Sequence, residues 1–260
     1  MPRSVMRRAA GAVVVAAALA AALFFAYEYA EAPASQLFGA TLVAGPAERH
    51  VVALTFDDGP NPPYTNEILR VLERERVSAT FFVVGRAVAA YPSLVAREAR
   101  DGDAIGNHSW SHGHLVVMTP AAVARSLQRT SDEIARATGE RPTLMRPPFG
   151  KRDWIVLAQA RRLGLVPVMW SVPLAGDWEN PPATAIARRI LRSVRNGAII
   201  VLHDGNQGVV CSPPQRTGVC DRRSTVEATA LVIGRLKARG YRFVTVPELL
   251  AMRRDAHSSE

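Results

Sequence analysis

The sequence predicts an α/β fold whose parallel strands close into a barrel. Short β-branched or aromatic runs alternate about seven times with stretches of helical period. The runs are almost wholly apolar, as strands covered on both faces are. The chemically distinctive residues stand at or just beyond the ends of these runs: Asp57 and Asp58, His108, Arg146, Asp177 and His203. In a parallel barrel every strand C-terminus opens on one face, where such residues meet. An open sheet would scatter them along its edge, so the closed form is the better reading.

In chain order, strands are read in 50–56 ("HVVALTF"), 79–85, 103–109, 143–148, 165–172, 197–203 and 242–246. Amphipathic helices are read in 64–77, 91–102, 119–139, 154–164, 183–197 and 224–240. Five of these helices end on a glycine, the usual stop signal. The chain has 260 residues, enough for one barrel of about 250. No internal repeat or second domain is visible. The expected organisation is a hydrophobic segment over 1–32, a linker over 33–48, the barrel over 49–253 and a polar tail over 254–260.

The N-terminus is basic, "MPRSVMRR", and Ala9 to Tyr27 then holds no charge. Those 19 residues exceed the usual core of a secretion signal and are about what spans a bilayer. A small-x-small site at Ala30-Glu31-Ala32 is followed by Pro33, which suits cleavage poorly. An uncleaved anchor is therefore preferred over a cleaved signal. Either way the charge asymmetry sends the rest of the chain out of the cytoplasm, to the cell envelope. The net charge is +9 and the basic residues are dispersed arginines with only two lysines, Lys151 and Lys237. No basic block with interleaved aromatics exists, so no nucleic-acid partner is expected. In an exported protein, Cys211 and Cys220 read as a local disulfide across a Pro- and Gly-rich loop, with two free thiols as the alternative.

The stretch "LTFDDGP" places two carboxylates side by side at the end of a buried strand. Turn chemistry explains Asp-Gly-Pro in part. A cation explains more: it neutralises one aspartate and leaves the other free as a base. "NHSWSH" sets His108 and His112 four apart, which on a helical turn puts both rings on one side. With Asp58 they make a three-ligand set with open positions, the pattern of a catalytic metal site. His50, His114 and His257 have no evident task.

"TFDDGP", "HSWSH", "RPPFG", "DW" and "VLHD", in that order, resemble the motif series of the polysaccharide deacetylases, the NodB-homology group or carbohydrate esterase family 4. The resemblance runs from about Val51 to Leu250. It implies a distorted (β/α)7 barrel and a divalent metal, usually zinc, with cobalt or nickel as alternatives. It implies removal of acetyl groups from N-acetylated sugars, with the glycan as partner; a monomer is expected. Carried over by motif, Asp58, His108 and His112 match the metal ligands and Asp57 the general base. Arg146 matches the arginine that orients the base, and Phe149 the backbone donor to the oxyanion. His203 matches the general acid, Asp177 the aspartate that tunes it, Trp178 a cleft wall, and Leu202 the apolar residue against the acetyl methyl. Phe149 stands where the family often has Tyr. The fourth motif commonly carries an earlier Asp, which "WSVPLAGDW" lacks.

The leading expectation is a hydrolase acting on N-acetylglucosamine-type residues of peptidoglycan, another envelope polysaccharide or chitin oligomers. De-O-acetylation is a second enzymatic reading. A non-catalytic glycan-binding module is a third, but such a relic has no need to keep both Asp57 and His203.

Overall fold

The computed structural model describes residues 3–210 and 218–257. An N-terminal helix, α1 (Arg3–Glu31), precedes the barrel. The barrel's strands are β1 (Val51–Asp57), β2 (Thr80–Val83), β3 (Ala104–Asn107), β4 (Leu144–Met145), β5 (Val166–Pro167), β6 (Ala198–His203) and β7 (Arg242–Phe243). The helices are α2 (Tyr64–Glu75), α3 (Gly85–Ala90), α4 (Pro92–Arg100), α5 (Pro120–Thr138), α6 (Trp154–Arg162), α7 (Ala183–Ser193), α8 (Arg223–Ala238) and α9 (Val246–His257).

All strand pairs are parallel, in the order β5-β4-β3-β2-β1-β6. The sheet curls until the chain after β5 meets β6: Ser171 N–H donates to the Ile199 carbonyl at 3.2 Å. The short β7 pairs only with Val51 and Val52 of β1, below the residues that pair with β2. That wedge is the distortion of the barrel. Residues 33–48, expected as a linker, instead pack into the closure. Leu42 bridges to Val168 and Ala44 to Ala198, and Leu42 is buried.

Strand alternation sorts the core into two layers. Val52, Leu54 and Phe56 of β1, with Ile200 and Leu202 of β6, face the helices. Val51 and Ala53, with Ile199 and Val201, face the barrel interior beside Val168, Met169 and Trp170. The helices cover the outer layer with one apolar side each. On α2 this side is Tyr64, Thr65, Ile68, Leu69, Val71 and Leu72. Local chemistry sets the helix ends. Thr119 caps α5 by accepting from Ala122 N–H, Pro120 sits in its first turn, and Gly139 closes it at φ 84°.

Three sequence expectations shift. Strands 143–148, 165–172 and 242–246 shrink to two paired residues each. α3 and α9 were not expected as separate helices. α1 contains the uncharged stretch, and its side chains are described from Ala17 onward. Among the described residues, no helix is long and apolar enough to cross a membrane. Cys211 lies outside the described residues, and with it the expected disulfide; Cys220 is buried.

Candidate functional site

The mouth of the barrel holds a cleft of about 320 Å³. Asp57, Asp58, His108, His112, Phe149, Trp178 and His203 line it. Parallel pairing delivers them: Asp57 lies opposite His203 in the β1–β6 register, and His108 follows the last residue of β3. Beyond Asp57 the chain turns sharply, with Asp58 at φ 79°. Non-glycine residues rarely take that region, and aspartate is among those that do so most readily.

His108 and His112 do not share a helix. They sit on a turn after β3 in which Ser109 (φ 67°) and His112 (φ 56°) are both left-handed. The turn is held by the Asn107 side chain accepting from Ser109 N–H at 2.8 Å and the Ser109 hydroxyl accepting from His112 N–H at 3.1 Å. Asn107 itself donates to the Leu127 carbonyl on α5. The two rings converge by this route, with centroids 4.9 Å apart.

Asp58, His108 and His112 are all buried and present one ligand atom each within 4.8 Å of one another. The Asp58 Oδ1 lies 3.4 Å from His108 Nε2 and 3.1 Å from His112 Nε2. His108 Nδ1 is 2.7 Å from the Arg146 carbonyl, which can only accept. A neutral His108 therefore carries its proton on Nδ1 and turns a lone pair towards Asp58. Burial and the neighbouring His108 lower His112 to about 4, so it too is a lone-pair donor at neutral pH. Burial alone would raise the Asp58 carboxyl, but the surrounding imidazoles outweigh it and hold it below the usual range. Its Oδ2 accepts from Gln207 N–H at 2.7 Å, while its buried Oδ1 has no hydrogen-bond donor. Two nitrogen lone pairs and a carboxylate oxygen facing one point repel each other; a divalent cation is their complement.

Asp57 is held on the other side. Arg146 Nη1 donates to its Oδ1 at 2.6 Å, and both groups are buried. Arg146 is fully enclosed. It also donates to the Thr55 hydroxyl at 2.8 Å and the Met169 carbonyl at 3.1 Å, and lies 4.1 Å above the Phe82 ring. With its fork immobilised, the Asp57 oxygen opposite the arginine is aimed at the cleft.

His203 faces them across the cleft. Its Nδ1 is 2.9 Å from Asp177 Oδ1, and its backbone N–H donates to Asp177 Oδ2 at 2.7 Å. Thr225 fixes the same carboxylate from α8 at 3.0 Å. Burial opposes charge on His203, but Asp177 above all, with Asp58 and Asp57, raises it to about 9. It is thus a cationic acid whose Nε2 is free for the cleft. Trp178 packs edge-on against its ring at 5.1 Å.

Phe149 sits at φ 58° and ψ 8° on the cleft rim. Its ring stacks on His114 at 4.3 Å and 13°, and meets His112 edge-on at 4.4 Å. His114, without a task in the sequence, thus supports the rim. Leu202 needs correction: it is fully buried in the helix-facing layer, and Val201 and Leu174 line the cleft instead. Since β6 alternates faces, an apolar residue one place before His203 cannot share its side. A count of two back from His203 would have found Val201.

Sequence reasoning also missed Asp204. Fully buried behind the Asp57-Asp58 turn, it accepts from the Thr65 hydroxyl at 2.5 Å, and burial pushes it up to about 7. A Cβ on Gly59 would strike its carboxylate, at 2.0 Å. The "VLHD" string carried that signal.

The polysaccharide deacetylase family model matches residues 44–168. The chain is 36% identical to a chitooligosaccharide deacetylase of Rhizobium leguminosarum bv. trifolii, over 79% of this chain and 94% of that one. It is 34% identical to a peptidoglycan-N-acetylglucosamine deacetylase of Bacillus cereus, over 79% and 90%. A crystal structure of a peptidoglycan N-acetylglucosamine deacetylase superposes with a TM-score of 0.73 at 32% identity, covering 80% of this chain and 92% of that one. The five motifs, the curled parallel barrel and these matches agree: the chain belongs to the polysaccharide deacetylase family of hydrolases.

Proposed function

We propose that this enzyme removes N-acetyl groups from N-acetylglucosamine-type residues of an envelope glycan, peptidoglycan first and chitin-type oligomers second. The reading rests on one observation. A cation-shaped gap between Asp58, His108 and His112 lies between an arginine-held aspartate and an aspartate-held histidine. A divalent cation, zinc by preference, would be held by those three residues and would polarise the acetamide carbonyl.

The chain's own groups supply the proton transfers. Asp57, its other oxygen occupied by Arg146, takes a proton from the attacking water. The Phe149 N–H, displayed by its left-handed backbone at the rim, donates to the oxyanion. His203, kept protonated by Asp177, gives its proton to the departing amine, which leaves poorly as an anion. Val201 and Leu174 offer an apolar wall to the acetyl methyl.

The N-terminal segment is the natural anchor. Eight residues rich in arginine precede the uncharged stretch, and Leu19, Leu23, Phe24 and Phe25 of α1 are all exposed. In sequence, the uncharged run from Ala9 to Tyr27 is long enough to enter a bilayer. The barrel then works outside the cytoplasm.

The test is acetate release from N-acetylglucosamine oligomers and from peptidoglycan, with and without chelator. Release that stops with chelator and returns with zinc supports the reading. Unchanged release from Asp57→Asn removes the proposed base, and acetate appearing only from O-acetylated glycans moves the enzyme to ester chemistry.

A further inference from the structure

α1 is not joined to the barrel by a slack tether. Arg152, buried to 3% exposure, donates to the carbonyls of Ala32 at 2.7 Å and Ser35 at 2.9 Å. Lys151 donates to the Tyr27 hydroxyl at 3.1 Å and pairs with Glu31 at 3.7 Å. Both basic residues directly follow Phe149 and Gly150, which line the cleft. The last turns of the N-terminal helix are therefore clamped to the rim of the catalytic mouth.

Beside that clamp the rim is apolar and uncovered. Trp154, the first residue of α6, is 69% exposed and Leu37 is 61% exposed. Phe38 lies 6.4 Å from the Trp154 ring. Tyr27 and Tyr29 are exposed at the end of α1. Aromatic side chains with a lysine among them, at the end of an apolar helix, are the composition of a membrane–water boundary. The uncharged stretch, at 1.5 Å per residue, is about 28 Å long, matching a hydrocarbon core of about 30 Å. Its end falls at Tyr27, level with this patch. Beyond the uncharged stretch the chain still carries a net charge of +6, which suits an anionic membrane surface.

We propose that the rim carrying Leu37, Phe38, Lys151 and Trp154 rests on the bilayer that α1 enters, so that the cleft opens at the membrane surface. This rests on the anchor reading given above and adds to it a fixed orientation. The glycan served is then membrane-proximal: chains at the inner edge of the wall, or glycan still carried on lipid, come within reach, and distal layers do not.

The experiment uses the full chain in phosphatidylethanolamine/phosphatidylglycerol vesicles containing nitroxide lipids, labelled either near the headgroup or at the acyl-chain end. The emission of Trp154 is isolated as the difference between the parent and Trp154→Phe. We expect that difference to be quenched more by the shallow label than by the deep one. Both proteins should float with the vesicles and release acetate equally from a soluble oligomer, which shows the fold is intact. A chain that floats while Trp154 is quenched by neither label keeps the anchor and overturns the docking. Trp154 shielded from aqueous acrylamide yet unquenched by lipid assigns the face to a second copy of the chain, and also overturns it. A chain that fails to float removes the anchor and the docking together.

Discussion

At the mouth of the barrel, Asp57 meets Arg146 at 2.6 Å and Asp177 meets His203 at 2.9 Å. Towards the floor, where the strands begin, two other acids are treated differently. Glu98 on α4 is fully buried and neither of its carboxyl oxygens has a hydrogen-bond partner. Asp103, just before β3, accepts one bond from Ala79 N–H at 2.7 Å. Burial, with Asp204 and Asp103 nearby, raises Glu98 well above its usual value, and burial raises Asp103 to about 7. At the mouth, Asp57 and the Asp177–His203 pair each have an opposite charge beside them that offsets desolvation, whereas Asp204, buried behind the same turn without one, is raised like the acids of the floor. The floor provides no counter-charge, so burial favours the protonated forms of its acids. Burial alone therefore does not mark a functional carboxylate; burial with an aimed partner does.

The comparison breaks most sharply within the aspartate pair. Asp58→Asn and Asp57→Asn differ by one residue position and should both lower kcat by about 10³-fold or more. Only Asp58→Asn should also lose zinc from the purified protein, measured by metal analysis after dialysis. If both variants lose zinc, or both keep it, the division between ligand and base is wrong.

Next in size is the other charged pair. Asp177→Asn removes the carboxylate that sustains the His203 cation. We expect kcat to fall by about 10²-fold. The alkaline limb of the kcat–pH profile should also move down, because the acid form is lost once pH exceeds a now lower pKa. A fall in kcat with an unmoved limb would make Asp177 a purely structural support.

How far the sequence exposed this site follows the same logic. The aspartate pair, the histidines and Arg146 were legible because such residues are conspicuous at the ends of apolar runs. The parallel α/β order was legible from the alternation, and its closure into a barrel from the polar residues gathered at the strand ends. Less legible was which face each strand residue takes. Leu202 and Val201 are both apolar neighbours in "VLH", and only the barrel's layering separates them. The turn that joins His108 to His112 also escaped, since four-residue spacing suggests a helix and the actual path uses left-handed Ser109 and His112. Asp204 was hidden because its partner, Thr65, is 139 residues away. Contacts of that kind exist only after folding.

The layering yields a smaller effect. Leu202→Ala should cost roughly 2–4 kcal/mol of stability through the cavity it leaves, read by denaturant unfolding, with kcat/KM on an N-acetylglucosamine oligomer nearly unchanged. Val201→Ala should show the reverse: a few-fold loss of kcat/KM and a smaller stability loss. Equal effects of the two on kcat/KM would mean that strand β6 does not partition its faces in this way.

The smallest expected effect, and the one that tests the floor directly, is a pH dependence of stability. Asp103 ionises near 3.8 in the unfolded chain and near 7 in the folded one. Its contribution is fully present below about 4, because both states are then protonated. As pH rises from 4 to 7 the unfolded state releases the proton first, so the parent loses stability across that window and is level above it. Asp103→Asn keeps the oxygen that accepts from Ala79 but has no proton to release. The variant should match the parent near pH 4 and exceed it at pH 8 by a few kcal/mol at most, shown as a higher Tm. Glu98→Gln should act in the same direction, since burial raises that carboxyl well above its ordinary value. Were the parent instead to gain stability over Asp103→Asn as pH rises, Asp103 would be ionised in the fold, and the floor would contain a counter-charge like those at the mouth.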